Sequence, residues 1–297
     1  MRTQEQLTIE LQQSITDEIL KAVGLQPTHW SRPLFHSVLN RGTYRFSALC
    51  AQFDSDINTF GVSTAVTNLA SHFISGIRHY GSQYIPREGS LLVTSNHPGA
   101  TDALAVISLL HRDDIKIVLS GVPFTKSLTN AQPHFIHVVS NPMQRSLVIR
   151  NIISHLKDGG AIFIFPTGHV TPDPKTSSES QVIWEDWSES IAFIMQHAGK
   201  TRLLPAVVSG VIEDRFLNSP LCKIRRVKWR QQILAEFMQI IWQMMRPTAP
   251  KNITPLVTFI EPVSGDALKT QFQFSNGQRR TFYHQAVLNC AVKGLKQ

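Results

Sequence analysis

A histidine and an aspartate five positions apart have the residue types of a general base and the group that orients it. Residues 96–102 read NHPGATD, so the pair is His97 and Asp102. If the carboxylate accepts the imidazole Nδ1–H, the ring is held in the tautomer that leaves Nε2 free to take a proton. The pair has no nucleophile of its own. The nucleophile would be the hydroxyl or amine of an acceptor, and positioned proton removal is typically worth ~10²–10⁴ in rate.

The same two residues also have an ordinary explanation. The helix dipole favours an aspartate in a first helical turn whether or not it has a function, and His97 would then be a turn residue beside Pro98. The spacing alone recurs by chance. Its position after an apolar strand and before a helix favours the catalytic interpretation.

A second turn of interest follows the apolar run Ala161–Phe165 and consists of Pro166, Thr167, Gly168 and His169. Gly168 permits close approach of the backbone to a ligand, and the neighbouring amides could bind a phosphate or an oxyanion. A plain β-turn is the alternative, and the turn taken alone favours it.

The elements that must position these turns change character near residue 85. Residues 4–81 show a helical pattern with no strand, and short apolar runs alternate with amphipathic stretches afterwards. The predicted strands are Leu91–Thr94, Ile115–Leu119, Phe135–Val139, Ala161–Phe165, Leu204–Val208 and Leu256–Ile260. The predicted helices are Ala103–Leu110, Arg145–Leu156, Ser188–His197 and Gln231–Met245.

Strands spaced by helices predict a layered α/β fold with a largely parallel central sheet flanked by helices and with a helical N-terminal subdomain. We expect a helical N-terminal region over 1–84, an α/β domain that carries both turns over 85–265 and a C-terminal helical extension over 266–297. Sites in such sheets gather at the carboxyl ends of strands, where both turns lie. Pro205 predicts an edge strand or the beginning of a strand, because proline cannot donate to a ladder.

Composition narrows the classes of function. The 297 residues carry a net charge of +8, which suits a polyanion such as an anionic membrane face, or a soluble surface with a modest charge excess. Cys50, Cys222 and Cys290 are too widely spaced for a metal site or a disulfide framework. No run approaches the ~18–20 apolar residues that cross a bilayer, and no signal-peptide core is present. We therefore expect a cytoplasmic protein, either soluble or peripheral at the membrane.

Three blocks in order resemble the glycerolipid acyltransferase family, whose lysophosphatidic-acid acyltransferases are its best-known members. That family carries N-H-x-x-x-x-D, then F-P-E-G-T-R, then an apolar block with proline. Here the first block is Asn96, His97 and Asp102, residues 165–168 read FPTG, and residues 204–208 read LPAVV. Order and spacing agree over about residues 85 to 262.

The resemblance implies direct transfer of a fatty acyl group from a thioester donor, either acyl-CoA or acyl-carrier protein, to a hydroxyl or amine of a lipid-like acceptor. Such a reaction belongs to lipid metabolism, as in phospholipid biosynthesis. The resemblance implies His97 as general base with Asp102 orienting it, and no metal or other cofactor. It also implies a groove that faces a membrane or an amphipathic substrate.

Two departures from the family pattern bear on the acceptor. The glutamate of F-P-E-G-T-R is Thr167 here and its arginine is Val170, and the first arginine after the third predicted strand is Arg145. Arginines at these places are thought to hold the acceptor's phosphate in a bidentate fork, so a neutral or amine-bearing lipid is favoured over a glycerol phosphate. The candidate acceptor- or oxyanion-binding residues are Asn96, Arg145, Pro166, Thr167, Gly168 and His169.

Two other classes of function stay open on the sequence alone. A catalytically silent lipid- or membrane-binding protein would keep the same fold, and the altered FPTGH block favours it. A metal-assisted hydrolase would use His169 together with His97 and Asp102, although no local ligand spacing supports a metal site.

A basic stretch precedes the last predicted helix, which is apolar and contains Trp242. Its cations are Lys223, Arg225, Arg226, Lys228 and Arg230. This order fits an anionic membrane surface, with cations at the headgroups and the apolar side at the acyl chains. A core-packing helix with a solvated basic start is equally compatible, and no pattern supports nucleic-acid binding.

Overall fold

The computed structural model describes residues 2–22, 31–120, 123–138, 141–176, 187–223 and 228–272. The helices are α1 (Gln4–Ala22), α2 (Ser31–Phe60), α3 (Val62–Ser71), α4 (Asp102–Leu110), α5 (Pro142–Lys157), α6 (Ser190–His197), α7 (Asp214–Leu217), α8 (Pro220–Lys223), α9 (Lys228–Met245) and α10 (Gly265–Phe272). The strands are β1 (Arg78–Tyr80), β2 (Leu91–Ser95), β3 (Ile115–Ser120), β4 (Phe135–Val138), β5 (Ala161–Ile164), β6 (Arg202–Ser209), β7 (Leu256–Phe259) and β8 (Val263–Ser264). All the predicted strands and helices are present, with small shifts at their ends.

The described strands form one mixed sheet in the order β1-β7-β6-β2-β5-β3-β4, and β8 also pairs with β6. Strand β2 is parallel to β6 on one side and to β5 on the other, and β3 is parallel to β5 and β4. Strands β7 and β8 run antiparallel to β6, while β1 is parallel to β7. The predicted α/β fold, with a largely parallel central sheet and helices around it, is confirmed.

Strand β2 is buried along its whole length, as expected of a central parallel strand with both faces covered. Leu91 and Val93 join a hydrophobic cluster that includes residues of the N-terminal helices, α4 and α9. Leu92 points to the opposite face and joins a second cluster with residues of α5, α6 and α10. The carboxyl end of β2 is therefore a rigid place from which to present a side chain.

The expectation that no strand lies within residues 4–81 is wrong. Arg78–Tyr80 forms β1 and pairs with β7 at the edge of the sheet. All three residues of β1 are exposed. An edge strand of this length buries no apolar side chain, so no alternation of apolar and polar residues marks it.

The prediction of an edge strand or a strand beginning at Pro205 is also wrong, because β6 is central and Pro205 lies inside it. The Pro205 carbonyl accepts the N–H of Ile260 at 2.9 Å, and the N–H and C=O of one strand residue face the same neighbouring strand. The nitrogen of Pro205 therefore faces the gap between the end of β7 at Phe259 and the start of β8 at Val263. The absence of an N–H at this position costs the sheet no ladder hydrogen bond.

The predicted division into residues 1–84, 85–265 and 266–297 stays a prediction. Helices α1 to α3 contribute Leu11, Phe53 and Val66 to the same hydrophobic cluster as the sheet. Helix α10 carries the description to residue 272, and the remainder of the predicted C-terminal extension lies outside the described residues. No helix in the described ranges combines the length and the apolar character that a bilayer crossing requires.

Candidate active site

The turn that leaves β2 brings His97 and Asp102 into contact. Nδ1 of His97 lies 2.9 Å from Oδ2 of Asp102, and Asp102 is the first residue of α4. The Asp102 side chain is fully buried, whereas 24% of the His97 side chain is exposed. A carboxylate that accepts the Nδ1–H leaves Nε2 as the free acceptor of the ring. The two side chains therefore have the geometry of a base and its orienting group.

The carboxylate of Asp102 also fixes the turn between the two residues. Its Oδ2 accepts the backbone N–H of Gly99 at 3.0 Å. One buried carboxylate thus binds both the imidazole and the backbone that connects it to α4, so the ring and the turn are held together.

Opposing effects set the proton affinity of His97. Burial lowers the pKa of the imidazole, but the charge of Asp102 and its hydrogen bond raise it, with smaller raising effects from Glu236 and the Gly99 backbone. The net result is a pKa above the ordinary imidazole value. A neutral His97 is consequently a stronger base than a free imidazole, and a larger fraction of it is protonated at neutral pH.

The loop after β5 covers His97. The ring of Phe165 stacks on the imidazole, with centroids 3.9 Å apart and 17° between the ring planes. Thr171 binds the His97 backbone twice, because its N–H donates to the His97 carbonyl at 2.7 Å and its hydroxyl accepts the His97 N–H at 3.0 Å. The position of the imidazole is therefore fixed by its ring face, by Nδ1 and by its backbone.

Comparison with protein families identifies this region. Residues 76–209 match the family model described as Acyltransferase. The match extends over just under half of the chain, from the start of the sheet to the end of β6, and it contains both His97 and Asp102. These residues are similar to the acyltransferase family. The resemblance to glycerolipid acyltransferases is thereby confirmed.

One solved structure similar to this chain is the 1-acyl-sn-glycerophosphate (LPA) acyltransferase from Thermotoga maritima. The two share 16% sequence identity with a TM-score of 0.41, over 99% of this chain and 98% of that chain. At this distance the likeness transfers no residue role. A comparison with curated proteins found no significant match.

The side chain of Asn96 bonds to the backbone of β6. Its Nδ2 donates to the Val208 carbonyl at 2.8 Å, its Oδ1 accepts the Val208 N–H at 2.7 Å, and the residue is fully buried. The side chain thereby continues the bonding between β2 and β6 past the end of β2. These contacts give no support to the predicted part of Asn96 in acceptor or oxyanion binding.

The turn after β5 closes on itself. The Gly168 N–H donates to the Phe165 carbonyl at 3.1 Å, and Gly168 has a φ of 68°, in the left-handed region that favours glycine. The Thr167 hydroxyl donates to the His169 carbonyl at 2.9 Å, and Pro166 is buried. The Gly168 amide is therefore used by the turn. Contacts of Thr167 and His169 with an acceptor stay predictions.

Arg145 lies far along the sheet from the site. It is exposed in the first turn of α5, which follows β4. Strand β4 is separated from β2 by β5 and β3, which at about 4.8 Å per strand places its end roughly 14 Å from β2. A contact between Arg145 and the acceptor requires an acceptor of that span, and it stays a prediction.

Sequence reasoning missed two buried carboxyl groups that support the site. Glu236 of α9 accepts the N–H of Ala100, and Asp173 accepts the N–H of Gly210 at 2.9 Å and that of Val211 at 3.2 Å. The available signals were a single glutamate inside the apolar run of α9 and an aspartate between two prolines. A buried carboxyl group is costly unless it is bonded, so each such position indicates a partner elsewhere in the chain.

The three residues of the metal hypothesis, His97, Asp102 and His169, form hydrogen bonds in two different places. Across the described ranges, no three His, Cys, Asp or Glu side chains are grouped so that they could hold an ion. His97 and Asp102 contact each other, while Nδ1 of His169 lies 2.9 Å from the Thr167 carbonyl within its own turn.

The basic stretch of the predicted membrane patch is described only in part. Arg225 and Arg226 lie outside the described residues, and Lys223, Lys228 and Arg230 lie on helices without described side chains. The helix that follows, α9, lines an apolar groove of about 720 Å³ together with residues of α7 and α8.

Proposed function

We propose that the protein transfers a fatty acyl group from a thioester donor, acyl-CoA or acyl-carrier protein, to a hydroxyl or amine of a lipid-like acceptor. The observation that carries the proposal is the 2.9 Å contact between Nδ1 of His97 and the fully buried carboxylate of Asp102 at the exit of β2. The acyltransferase family of the domain supports the reaction class. His97 is the general base and Asp102 orients it.

The reaction follows from the free Nε2 of His97. Nε2 removes the proton of the acceptor hydroxyl or amine while the acceptor oxygen or nitrogen attacks the thioester carbonyl carbon. The new ester or amide bond forms, the C–S bond breaks, and the thiolate leaves with the proton returned by the imidazolium. The carboxylate of Asp102 stabilises the imidazolium that exists between these two proton transfers.

The acceptor is proposed to be a neutral or amine-bearing lipid. Thr167 replaces the family's glutamate and Val170 its arginine. The candidate for the second arginine, Arg145, lies in the first turn of α5, which follows the edge strand β4. With one arginine of the family pattern replaced and the other displaced, a phosphate group on the acceptor has less to hold it.

The groove beside α9 supports an anionic membrane surface as the partner that presents this acceptor. Its lining consists of Arg215, Phe216, Ser219, Leu221, Leu234, Phe237, Met238, Ile241, Trp242, Met245 and Arg246. The guanidinium groups of Arg215 and Arg246 lie over the Trp242 ring, 5.1 and 4.1 Å from its centroid. Apolar side chains with cations beside them match acyl chains and anionic headgroups.

The reaction is tested by incubating the purified protein with long-chain acyl-CoA and a panel of lysolipids, amines and water. We expect thiol release that depends on an acceptor, with the acylated product identified by mass spectrometry. His97→Ala should lower the rate by at least about 10²-fold, since it removes the base. His79→Ala, an exposed histidine on β1, is the matched control and should keep the wild-type rate.

The alternatives give different outcomes in the same assay. Lipid binding without any thiol release would replace the proposal by a catalytically silent lipid-binding protein. Release into water that a chelator abolishes would favour the metal-assisted hydrolase. Release that is unchanged in His97→Ala would remove His97 from the mechanism.

A further inference from the structure

Helix α9 carries a stripe of buried polar side chains on its inner face. The four residues are spaced by four, three and four positions, so they lie on one side of the helix. They are 6%, 8%, 0% and 7% exposed, in the order Gln232, Glu236, Gln239 and Gln243. Burying polar groups costs free energy unless each one is hydrogen-bonded, so the partners of this stripe reveal what it holds.

Three residues of the stripe bind the backbone around the His97–Asp102 pair. The Nε2 of Gln232 donates to the carbonyls of Pro98 and Thr171 at 2.6 and 2.7 Å. The carboxyl group of Glu236 accepts the N–H of Ala100. Gln239 binds the segment after β6 in the same manner. Helix α9 therefore fixes the catalytic turn and the two loops beside it.

Glu236 is the ionisable member of the stripe and lies closest to the turn. An added Cβ at Gly99 would overlap its carboxyl group, so the small residue at 99 permits this approach. Burial raises the pKa of Glu236 to about 8; the Ala100 N–H opposes this, Asp102 adds to it and His97 opposes it. Asp102 on α4 and His97 on the turn are the charged or titratable groups that act on Glu236.

We propose that Glu236 is a positioning residue for acyl transfer, which holds the turn between His97 and Asp102 in place by accepting the Ala100 N–H. The neutral form of the Glu236 carboxyl group avoids a second negative charge beside the buried Asp102, and its carbonyl oxygen is sufficient to accept the N–H. The effect on rate rests on the proposed function, whereas the hold on the turn does not.

The kinetic test compares Glu236→Gln with Glu236→Ala. Glutamine keeps an acceptor oxygen without an ionisable proton, and we expect kcat to fall no more than about threefold at pH 7. Alanine leaves the Ala100 N–H without its acceptor, and we expect kcat to fall about 10- to 100-fold with little change in KM. Between pH 7 and 9 the wild type should show an ionisation near pH 8 that is missing in Glu236→Gln.

The control is Gln243→Ala, which removes a buried side chain of the same stripe. Gln243 donates to the Phe73 carbonyl at 2.8 Å, away from the turn. This variant should unfold at a lower temperature than the wild type and keep the wild-type kcat. The comparison distinguishes a loss of stability in α9 from the loss of the hydrogen bond between Glu236 and the turn.

Hydrogen exchange of the Ala100 amide supplies a readout that needs no activity. We expect the amide to be protected in the wild type and in Glu236→Gln, and to exchange at least tenfold faster in Glu236→Ala. If the wild type transfers no acyl group but these rates hold, the proposed function fails and the hold on the turn stands.

Four results would overturn the inference. The first is equal exchange of the Ala100 amide in the wild type and Glu236→Ala. For an active wild type, the second is a kcat that Glu236→Ala leaves within twofold, and the third is an equal loss of kcat in the alanine and glutamine variants. The fourth applies if Glu236→Ala does not fold, and it is an ionisation near pH 8 that persists in Glu236→Gln.

Discussion

The imidazole of His97 is restrained by contacts of different kinds. Asp102 binds Nδ1, Phe165 stacks on the ring at 3.9 Å, and Thr171 binds the backbone on both sides. Such restraint lowers the entropic cost of bringing a base to an acceptor. Asp102 has the largest raising effect on the pKa of His97, which allows the assignment to be tested by pH.

Asp102→Asn should lower kcat/KM by ~10²–10⁴, because the amide cannot stabilise the imidazolium as a carboxylate does. Transfer requires neutral His97, so wild-type activity falls as pH drops through the pKa of His97. Since that pKa is raised, the acidic midpoint should lie above the ordinary imidazole value of about 6.5. Removing the charge of Asp102 should move the residual midpoint to lower pH, measured as kcat/KM between pH 5 and 9.

Asp113→Asn serves as the control for this pH profile. Asp113 is exposed and accepts the Ser63 N–H at 2.9 Å, at the start of α3. Its variant should retain the wild-type midpoint. An acidic midpoint that is the same in Asp102→Asn as in the wild type would exclude the coupling between the two side chains.

The loops that surround the site are held by side chains from other elements. The loop after β5 is bound to His97 through Thr171, to α9 through Gln232, and to the end of β6 through Asp173. Asp173 is buried, and burial raises its pKa although the backbone N–H groups that it accepts work in the opposite direction. A loop with three such attachments covers His97 as a fixed wall of the site.

Asp173→Ala should reduce the free energy of unfolding by about 2–4 kcal/mol, because the buried N–H groups of Gly210 and Val211 lose their acceptor. Denaturant titration measures the change. Asp214→Ala is the control, since Asp214 is exposed and its ion pair with Lys175 is 3.3 Å long at the surface; its effect should stay within about 0.5 kcal/mol. Equal decreases in the free energy of unfolding of the two variants would show that the hydrogen bonds of Asp173 do not stabilise the fold.

In the molecule as a whole, one face of α9 contacts the catalytic turn and another face lines the apolar groove. Glu236 points to the catalytic turn, while Phe237, Met238 and Ile241 line the groove on the other side of the helix. Under the proposed function, a lipid chain in the groove and an acceptor at His97 would therefore occupy different places. We expect the net charge of +8 to attract the chain to anionic surfaces over distances longer than any single contact.

Reversing two charges beside the groove tests the membrane proposal. The variant Arg215→Glu with Arg246→Glu should bind vesicles of phosphatidylcholine and phosphatidylglycerol at least about tenfold more weakly than the wild type, at roughly 1 kcal/mol for each cation near the surface. Vesicle flotation measures the bound fraction. The rate of acyl transfer between a short, soluble acyl donor and acceptor should change less than twofold, because the groove lining does not include His97 or Asp102.

The matched control places the same charge change elsewhere. Arg150 on α5 and Lys200 after α6 are exposed, so Arg150→Glu with Lys200→Glu alters net charge equally without touching the groove. Equal loss of vesicle binding in both double variants would reduce the effect to net charge. Equal binding of the wild type to neutral vesicles would contradict an anionic surface.

The amino-acid sequence was sufficient for the local unit that carries the proposed chemistry. An unbroken apolar run predicted β2, Pro98 and Gly99 predicted the turn, and α4 follows with Asp102 in its first turn. These features are encoded by neighbouring residues, through burial and backbone conformation. The contact between His97 and Asp102 was predictable for the same reason, since the two residues are five positions apart.

The contacts that hold this local unit in place depend on the tertiary structure. Asn96 binds Val208 and Ala100 donates to Glu236, in each case across more than a hundred residues. Pro205 is central because β7 and β8 leave a gap opposite it. Periodicity and spacing report which side of an element is buried, whereas the identity of the buried partner depends on how the sheet orders its strands. The sequence was therefore sufficient to predict the His97–Asp102 pair, whereas the residues that hold the pair in place could be identified only from the fold.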